Sequence, residues 1–364
     1  MVQHILQPEE IESIDHVAIA RLRLPERAEI FALRAQRLRQ LAAGHPMEAY
    51  LALMAEVVEA QHAVAPTLSF PRPAPDDIAR ARDHRMPLLA AMDQDMLAGW
   101  HHGARALFDE LGRSRAVPAQ VLQALRAGSA EALTAQAQAL LGLREGPIDA
   151  LTAPFLMAAL QLHRTVMASQ LEEREVPGLD VATVCPVCGT LPVASIVRIG
   201  GRYQGLRYLQ CGLCATEWHM VRVKCSHCES TEGISYHVAE EHGVEGRVAE
   251  GRFSALKAET CDPCHHYRKI CYMEKDPLVE PLADDLASLA LDVMMADAGY
   301  GRASGNPLLW LGDGDGDGDG DGDGDGDHGG PHGDDDGDDG SALADAAAGP
   351  APGTHAGPHH GHER

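Results

Sequence analysis

Cys185-Pro-Val-Cys188-Gly189 is answered by Cys211-Gly-Leu-Cys214, and then by Cys225-Ser-His-Cys228 and Cys261-Asp-Pro-Cys264, so eight of the nine cysteines fall in four Cys-x-x-Cys pairs. Each such turn aims two thiolates at one point, and residues at and after the second cysteine can donate backbone N–H groups to the sulfurs. Gly189 suits this turn because glycine tolerates the left-handed conformation. Two turns from separate hairpins complete a tetrahedron, with metal–sulfur distances of about 2.3 Å. The first and second pairs are 22 residues apart and the third and fourth 32, which leaves room for a hairpin in each interval. The spacing therefore predicts one site from Cys185, Cys188, Cys211 and Cys214 and a second from Cys225, Cys228, Cys261 and Cys264. Only 10 residues separate the second and third pairs, so an interleaved pairing stays open. An all-thiolate tetrahedral site takes zinc or iron, and spacing does not choose between them. Duplicated knuckle-like turns favour mononuclear sites over a two-iron cluster.

Around these pairs the texture is that of short strands. Val193, Ser195, Val197 and Ile199 alternate, Gly200-Gly201 turns the chain, and Leu206, Tyr208 and Gln210 resume the alternation, a hairpin signal. Further strands are expected across 218–223, 234–238 and 252–258, too short and too interrupted to build a large sheet. Upstream, residues 1–176 lack cysteine and place apolar residues three or four apart, as in Ile30, Leu33, Leu38 and Leu41, or Met47, Tyr50, Leu51, Met54, Val57 and Val58. Further helices are expected over 76–98, 118–143 and 148–175, with breaks at Gly44-His45-Pro46, at Pro71, Pro73 and Pro75, near Gly112 and at Gly146-Pro147. Downstream, Leu278, Leu282, Leu286, Leu289 and Val293 form one helical stripe that Asp276 could cap, with Pro281 restricting its start.

The fold expected is α+β: a helical domain over 1–176, four-cysteine ribbons over 181–224 and 225–275, a C-terminal helix and extension over 276–311, and a Gly/Asp-rich tail over 312–364. The tail carries eight consecutive Gly-Asp pairs and six histidines. Too little apolar surface exists there to offset chain entropy, so disorder is expected. Deleting 312–364 should leave metal content and melting temperature nearly unchanged; loss of either ion on truncation would contradict this.

The formal charge is −24, of which −14 lies in the tail. Residues 181–275 hold 11 Lys and Arg against 10 Asp and Glu before any thiolate is counted, a poor balance for binding phosphates. No apolar leader or twin arginine stands in residues 1–10, and no apolar run suits a membrane span, so a cytoplasmic, reduced chain is expected. No phosphate-binding loop, nucleophile elbow or His-Glu-x-x-His helix occurs, so no catalytic role is expected. Cys271 reads as a buried thiol and Trp218 as a core residue over a metal turn. His227, His265 and His266 sit beside ligand cysteines without being needed as ligands. His101 and His102 beside Trp100 read as packing.

The stretch Cys185-Pro-Val-Cys-Gly, then Gly-Leu-Arg-Tyr-Leu-Gln-Cys211 through Cys214-Ala-Thr-Glu-Trp-His to Val-Lys-Cys225-Ser-His-Cys228, resembles the FdhE family of formate dehydrogenase accessory proteins. Lys257-Ala-Glu-Thr-Cys261, Glu274-Lys-Asp-Pro, Ala283-Asp-Asp-Leu-Ala-Ser-Leu, Gly299-Tyr-Gly and Asn306-Pro continue the match. The resemblance implies a protein needed for formate dehydrogenase activity that contacts the catalytic subunit before export and carries two rubredoxin-like iron sites, zinc being the alternative. Partners expected are that subunit and, as an open alternative, further copies of this chain; no nucleic acid is expected. Cys271 and the Gly-Asp tail depart from the family pattern. Rival readings are a zinc-ribbon module binding nucleic acid or protein, and a thiol-disulfide oxidoreductase, which would want one exposed reactive pair near a βαβ unit.

Overall fold

The proline-free stripe after Pro25 forms α1 (Ile30–Ala42), which buries Phe31, Leu38 and Leu41, and Gly44, at φ 65°, turns the chain into α2 (Glu48–Val64). These elements belong to a computed structural model that describes residues 19–309 apart from 93–96, 98, 115, 144, 147 and 240–253; the tail expectation lies outside them. The helix expected over 76–98 stops early. Its α3 (Pro75–Asp83) yields to Arg85 at φ 48° and Pro87, after which, among the described residues, a 3-10 turn forms over Leu88–Ala91. Following α4 (Trp100–Leu111), the helix expected over 118–143 divides into α5 (Ala119–Ala127) and α6 (Ala130–Leu140). The division falls at Gly128-Ser129, where Ser129 Oγ accepts a bond of 3.2 Å from Ala132 N and so caps α6. In α7 (Ala153–Ala168) every residue is buried, the mark of a helix surrounded on all sides rather than laid on a surface.

The expectation of no large sheet is overturned. Among the described residues eight strands form one sheet: β1 (Leu22–Arg23), β2 (Pro192–Val197), β3 (Arg207–Cys211), β4 (Glu217–His219), β5 (Ile234–His237), β6 (Leu256–Cys261), β7 (His266–Tyr272) and β8 (Gly301–Arg302). Their order is β1-β4-β3-β2-β7-β6-β5, with β8 also on β7. Each four-cysteine ribbon supplies three antiparallel strands, and the ribbons join where β2 and β7 pair in parallel, Ile196 opposite Cys271. Strands too short to stand alone thus share their edges, which removes two rows of unpaired backbone groups. Across the junction Arg207 on β3 donates to Glu259 on β6 at 2.6 Å, both side chains fully buried. The sheet also separates two cores. Leu209 and Val193 belong to the larger one with the helices, and Tyr208, Ile196 and Cys271 to a smaller one under the C-terminal segment.

The C-terminal helix expected from one stripe is two helices, α8 (Pro281–Ala287) and α9 (Leu289–Asp297), broken at Ser288. Glu280, not Asp276, caps α8, accepting from Ala283 N at 2.8 Å with Pro281 as the first helical residue. Leu278 and Val293, expected in the stripe, are exposed. Beneath α8, Lys269 Nζ is 3.4 Å from Asp285 and 2.6 Å from Asp292, and Arg302 also pairs with Asp285. Burial opposes the charge on Asp285, yet Lys269 and Arg302 hold its carboxyl below the usual value. The charged form therefore stabilises the fold above the ordinary carboxylate range, and that contribution is lost as pH falls through the lowered folded value. In acid titrations followed by circular dichroism, Asp285→Asn should be less stable at neutral pH and lose less stability below about pH 4; equal slopes for both proteins would contradict this.

Candidate metal centres

The first centre hangs on two hairpin-end turns. In the Cys185–Cys188 turn, Gly189 N donates to Cys185 O at 2.9 Å and Cys185 N to Thr190 O at 3.0 Å, with Gly189 at φ 80° as its sequence suggested. The Cys211–Cys214 turn follows: Leu213 N and Cys214 N each point at Cys211 Sγ from 3.3 Å, and Cys211 N donates to Thr216 O at 2.9 Å. Together they set Cys185 Sγ 3.5 Å from Cys214 Sγ and Cys188 Sγ 3.4 Å from Cys211 Sγ. The second centre repeats the plan: His227 N and Cys228 N point at Cys225 Sγ from 3.3 and 3.4 Å, while Cys225–Cys264 and Cys228–Cys261 are 3.8 and 3.6 Å apart. The cysteines group consecutively, not interleaved, and within each group all four sulfurs lie within 4.8 Å of one another.

Tetrahedral bonds of about 2.3 Å require sulfurs about 3.8 Å apart, so each group fits one ion. The electrostatics agree. With thiols alone, burial pushes Cys185 and Cys211 well above their ordinary value, while hydrogen bonds from its three neighbours push Cys188 well below. One thiolate is tolerated there; four together need a cation at the centre. Burial likewise raises Cys264 to about 11.

A shared backbone feature was only partly legible. The residue after the second cysteine is left-handed in all four turns: Gly189, then Ala215 at φ 58°, Glu229 at 62° and His265 at 51°. For a residue with Cβ this conformation costs about 1–2 kcal/mol, tolerated where surrounding bonds over-determine it. Two residues after the second cysteine, Thr190 Oγ1 lies 3.5 Å from Cys188 Sγ and Thr216 Oγ1 3.1 Å from Cys214 Sγ. The Thr, Thr and Ser at this step of three turns were the signal available for them. More remote supports carry no such signal. On α7, Gln161 Nε2 donates to Gly212 O at 2.7 Å and Thr165 Oγ1 to Leu213 O at 3.5 Å. Leu88 N and Leu89 N donate to Pro186 O and Val187 O at 3.1 and 2.8 Å. The helical region thus grips both turns of the first centre.

The side chains of the other singled-out residues join neither sulfur group among the described residues. Trp218 is buried in the larger core with its Nε1 donating to Ala182 O at 2.7 Å, and Cys271 is buried in the smaller core, where burial raises its thiol. His227 stacks on His266, ring centroids 4.2 Å apart, and no histidine joins a candidate metal group among the described residues. His101 and His102 are exposed beside buried Trp100. A cavity of about 590 Å³ runs beside Cys188, lined also by Met157, Leu143, Leu213 and Leu309. No helix of the described residues is long and apolar enough to cross a membrane.

Family models of FdhE match almost all the described residues: the N-terminal region over 19–179, the central domain over 184–222 and the C-terminal domain over 223–309. The protein FdhE homolog of Pseudomonas aeruginosa is 41% identical over 314 residues, which is 85% of this chain and 98% of that one. The homolog of Edwardsiella ictaluri is 42% identical over 306 residues, 81% of this chain and 93% of that one. The crystal structure of the FdhE protein from Pseudomonas aeruginosa superposes with a TM-score of 0.70 at 39% identity, covering 80% of this chain and 99% of that chain. Sequence, fold and paired four-cysteine groups converge, and this chain belongs to the FdhE family.

Proposed function

We propose that this protein is a non-catalytic accessory factor for formate dehydrogenase, acting in the cytoplasm on the catalytic subunit. In this reading Cys185, Cys188, Cys211 and Cys214 hold one ion, and Cys225, Cys228, Cys261 and Cys264 hold another, iron being favoured over zinc. The observation that carries it is membership of the FdhE family over nearly the whole described chain, together with two four-sulfur groups of mononuclear dimensions. An ion closed by four thiolates has no open position for water, so the centres would shape a binding surface or change oxidation state rather than perform hydrolysis. The chain's own residues set that chemistry: backbone N–H groups of Leu213, Cys214, His227 and Cys228 steady the sulfurs, and α7 fixes the first pair of turns. Oxidation state would then alter the turns and the client surface with them.

The test is a pull-down of the formate dehydrogenase catalytic subunit by the full chain, with and without oxygen, in wild type and in variants lacking each cysteine pair. Recovery should fall when a pair is removed and formate dehydrogenase activity should fall in cells lacking the protein. Equal recovery by all variants would take the ribbons out of recognition; no recovery by wild type under either condition would overturn the reading.

A further inference from the structure

We propose that the two centres are unequal: the first is a fixed part of the fold, whereas the second is open at Cys228 and exchanges its ion with outside thiolate or chelating acceptors while the chain stays folded. The inference rests on the reading that the eight cysteines hold two ions.

The two groups share a plan but not an environment. Cys185, Cys211 and Cys214 are 0% exposed and belong to the larger hydrophobic core. Both of their turns are pinned through backbone carbonyls by Leu88, Leu89, Gln161 and Thr165. Cys225 and Cys261 are buried, but none of Cys225, Cys228, Cys261 and Cys264 joins either hydrophobic cluster. Cys228 is exposed and Cys264 half-buried, and the chain after Cys228 runs through exposed Thr231, Glu232 and Gly233 into β5, the last strand in the sheet order. The Cys225–Cys228 turn is tied instead by side chains: Arg268 Nε donates to Ser226 Oγ at 2.7 Å, and Lys224 Nζ to Glu229 at 2.5 Å.

Exchange at a closed tetrahedral centre requires an incoming donor to approach as one ligand leaves. At the first centre three ligands are sealed in the core, and the fourth, half-buried Cys188 beside the cavity lined by Met157 and Leu213, sits in a turn whose carbonyls Leu88 and Leu89 hold, so that release there is opposed by the surrounding fold. At the second, Cys228 is the ligand that can leave into solvent: the acceptor's donor atom bonds to the ion as the Cys228 Sγ bond breaks, and the freed thiolate is solvated or takes a proton from water, with no change in electron count. Local opening at such a peripheral site needs far less free energy than global unfolding.

The test uses the full chain reconstituted with zinc and challenged with excess 4-(2-pyridylazo)resorcinol, with absorbance reporting released zinc and far-UV circular dichroism recorded in parallel. Two phases of one zinc each are expected, differing in rate by on the order of tenfold or more, with dichroism unchanged through the faster. Cys228→Ser should abolish the fast phase and keep the slow one. Independently of that variant's folding, N-ethylmaleimide added to wild type after the fast phase should label the Cys225–Cys264 group and spare the Cys185–Cys214 group. A single phase releasing both ions, or labelling of the first group before the second, would overturn the inequality. Failure to take up any zinc would overturn the underlying assignment as well.

Discussion

Cys211→Ser should cost the protein its first ion and more than about 5 kcal/mol of stability, the lower end of what holds an ordinary domain folded. Its sulfur lies 3.4 Å from Cys188 Sγ and accepts from the N–H groups of Leu213 and Cys214. A serine there leaves only three thiolates to hold the ion, and once it is lost their charge is uncompensated in a space where Cys185 and Cys214 are fully buried. Binding at structural four-ligand sites is folding free energy, about 10–16 kcal/mol in small metal-dependent domains, and here the two turns are also the surface on which α7 and residues 88–89 rest. Loss should therefore spread into the helices, seen as a large drop in melting temperature and in helical dichroism. A variant keeping two ions and a melting temperature within a few degrees of wild type would show that Cys211 is no ligand.

The second large effect lies far from sulfur. Arg37 on α1 grips Asp284 on α8 through two bonds of 2.9 and 2.6 Å, with Asp276 2.8 Å away, and Arg34 beside it donates to Glu280 at 3.0 Å. Asp284 also accepts from Glu280 N at 2.8 Å. Burial pushes its carboxyl up even against Arg37, so the pair is held at a desolvation cost. Removing one partner strands the other charge. Asp284→Ala should lower unfolding stability by about 3–5 kcal/mol, whereas the double replacement Arg37→Met with Asp284→Leu should recover most of that loss. Denaturant midpoints decide it: a single-variant loss under about 1 kcal/mol would place this pair with weak surface bridges.

What the sequence made legible follows the length scale of each interaction. Cysteine spacing is local chemistry, so the four turns and their consecutive grouping could be read from Cys185 to Cys264 without knowing the rest. Of the stripe Ile30, Leu33, Leu38 and Leu41, Leu38 and Leu41 are buried as read, while Leu33 is exposed and Phe31 takes its place in the core; helix boundaries were not readable, because Gly128-Ser129 and Ser288 end helices through caps that a stripe of leucines hides. The joined sheet was invisible for a different reason. Pairing of Ile196 with Cys271 links positions 75 apart in sequence, and no local pattern reports such a partner. The grip of Gln161 on Gly212 and of Arg37 on Asp284 is of the same kind. Polar helix residues such as Gln161 and Arg37 are the joints that tie helices to the ribbons and to the C-terminal segment.

Native mass spectrometry of the full chain purified without oxygen, with elemental analysis and visible absorption of the same sample, tests the central claim most directly. Two ions per chain are expected, one lost on disrupting each four-cysteine group, with the absorption of ferric thiolate centres after oxidation if the ions are iron. A chain carrying no ion, a single ion shared by all eight cysteines, or iron accompanied by inorganic sulfide would contradict two mononuclear four-thiolate centres.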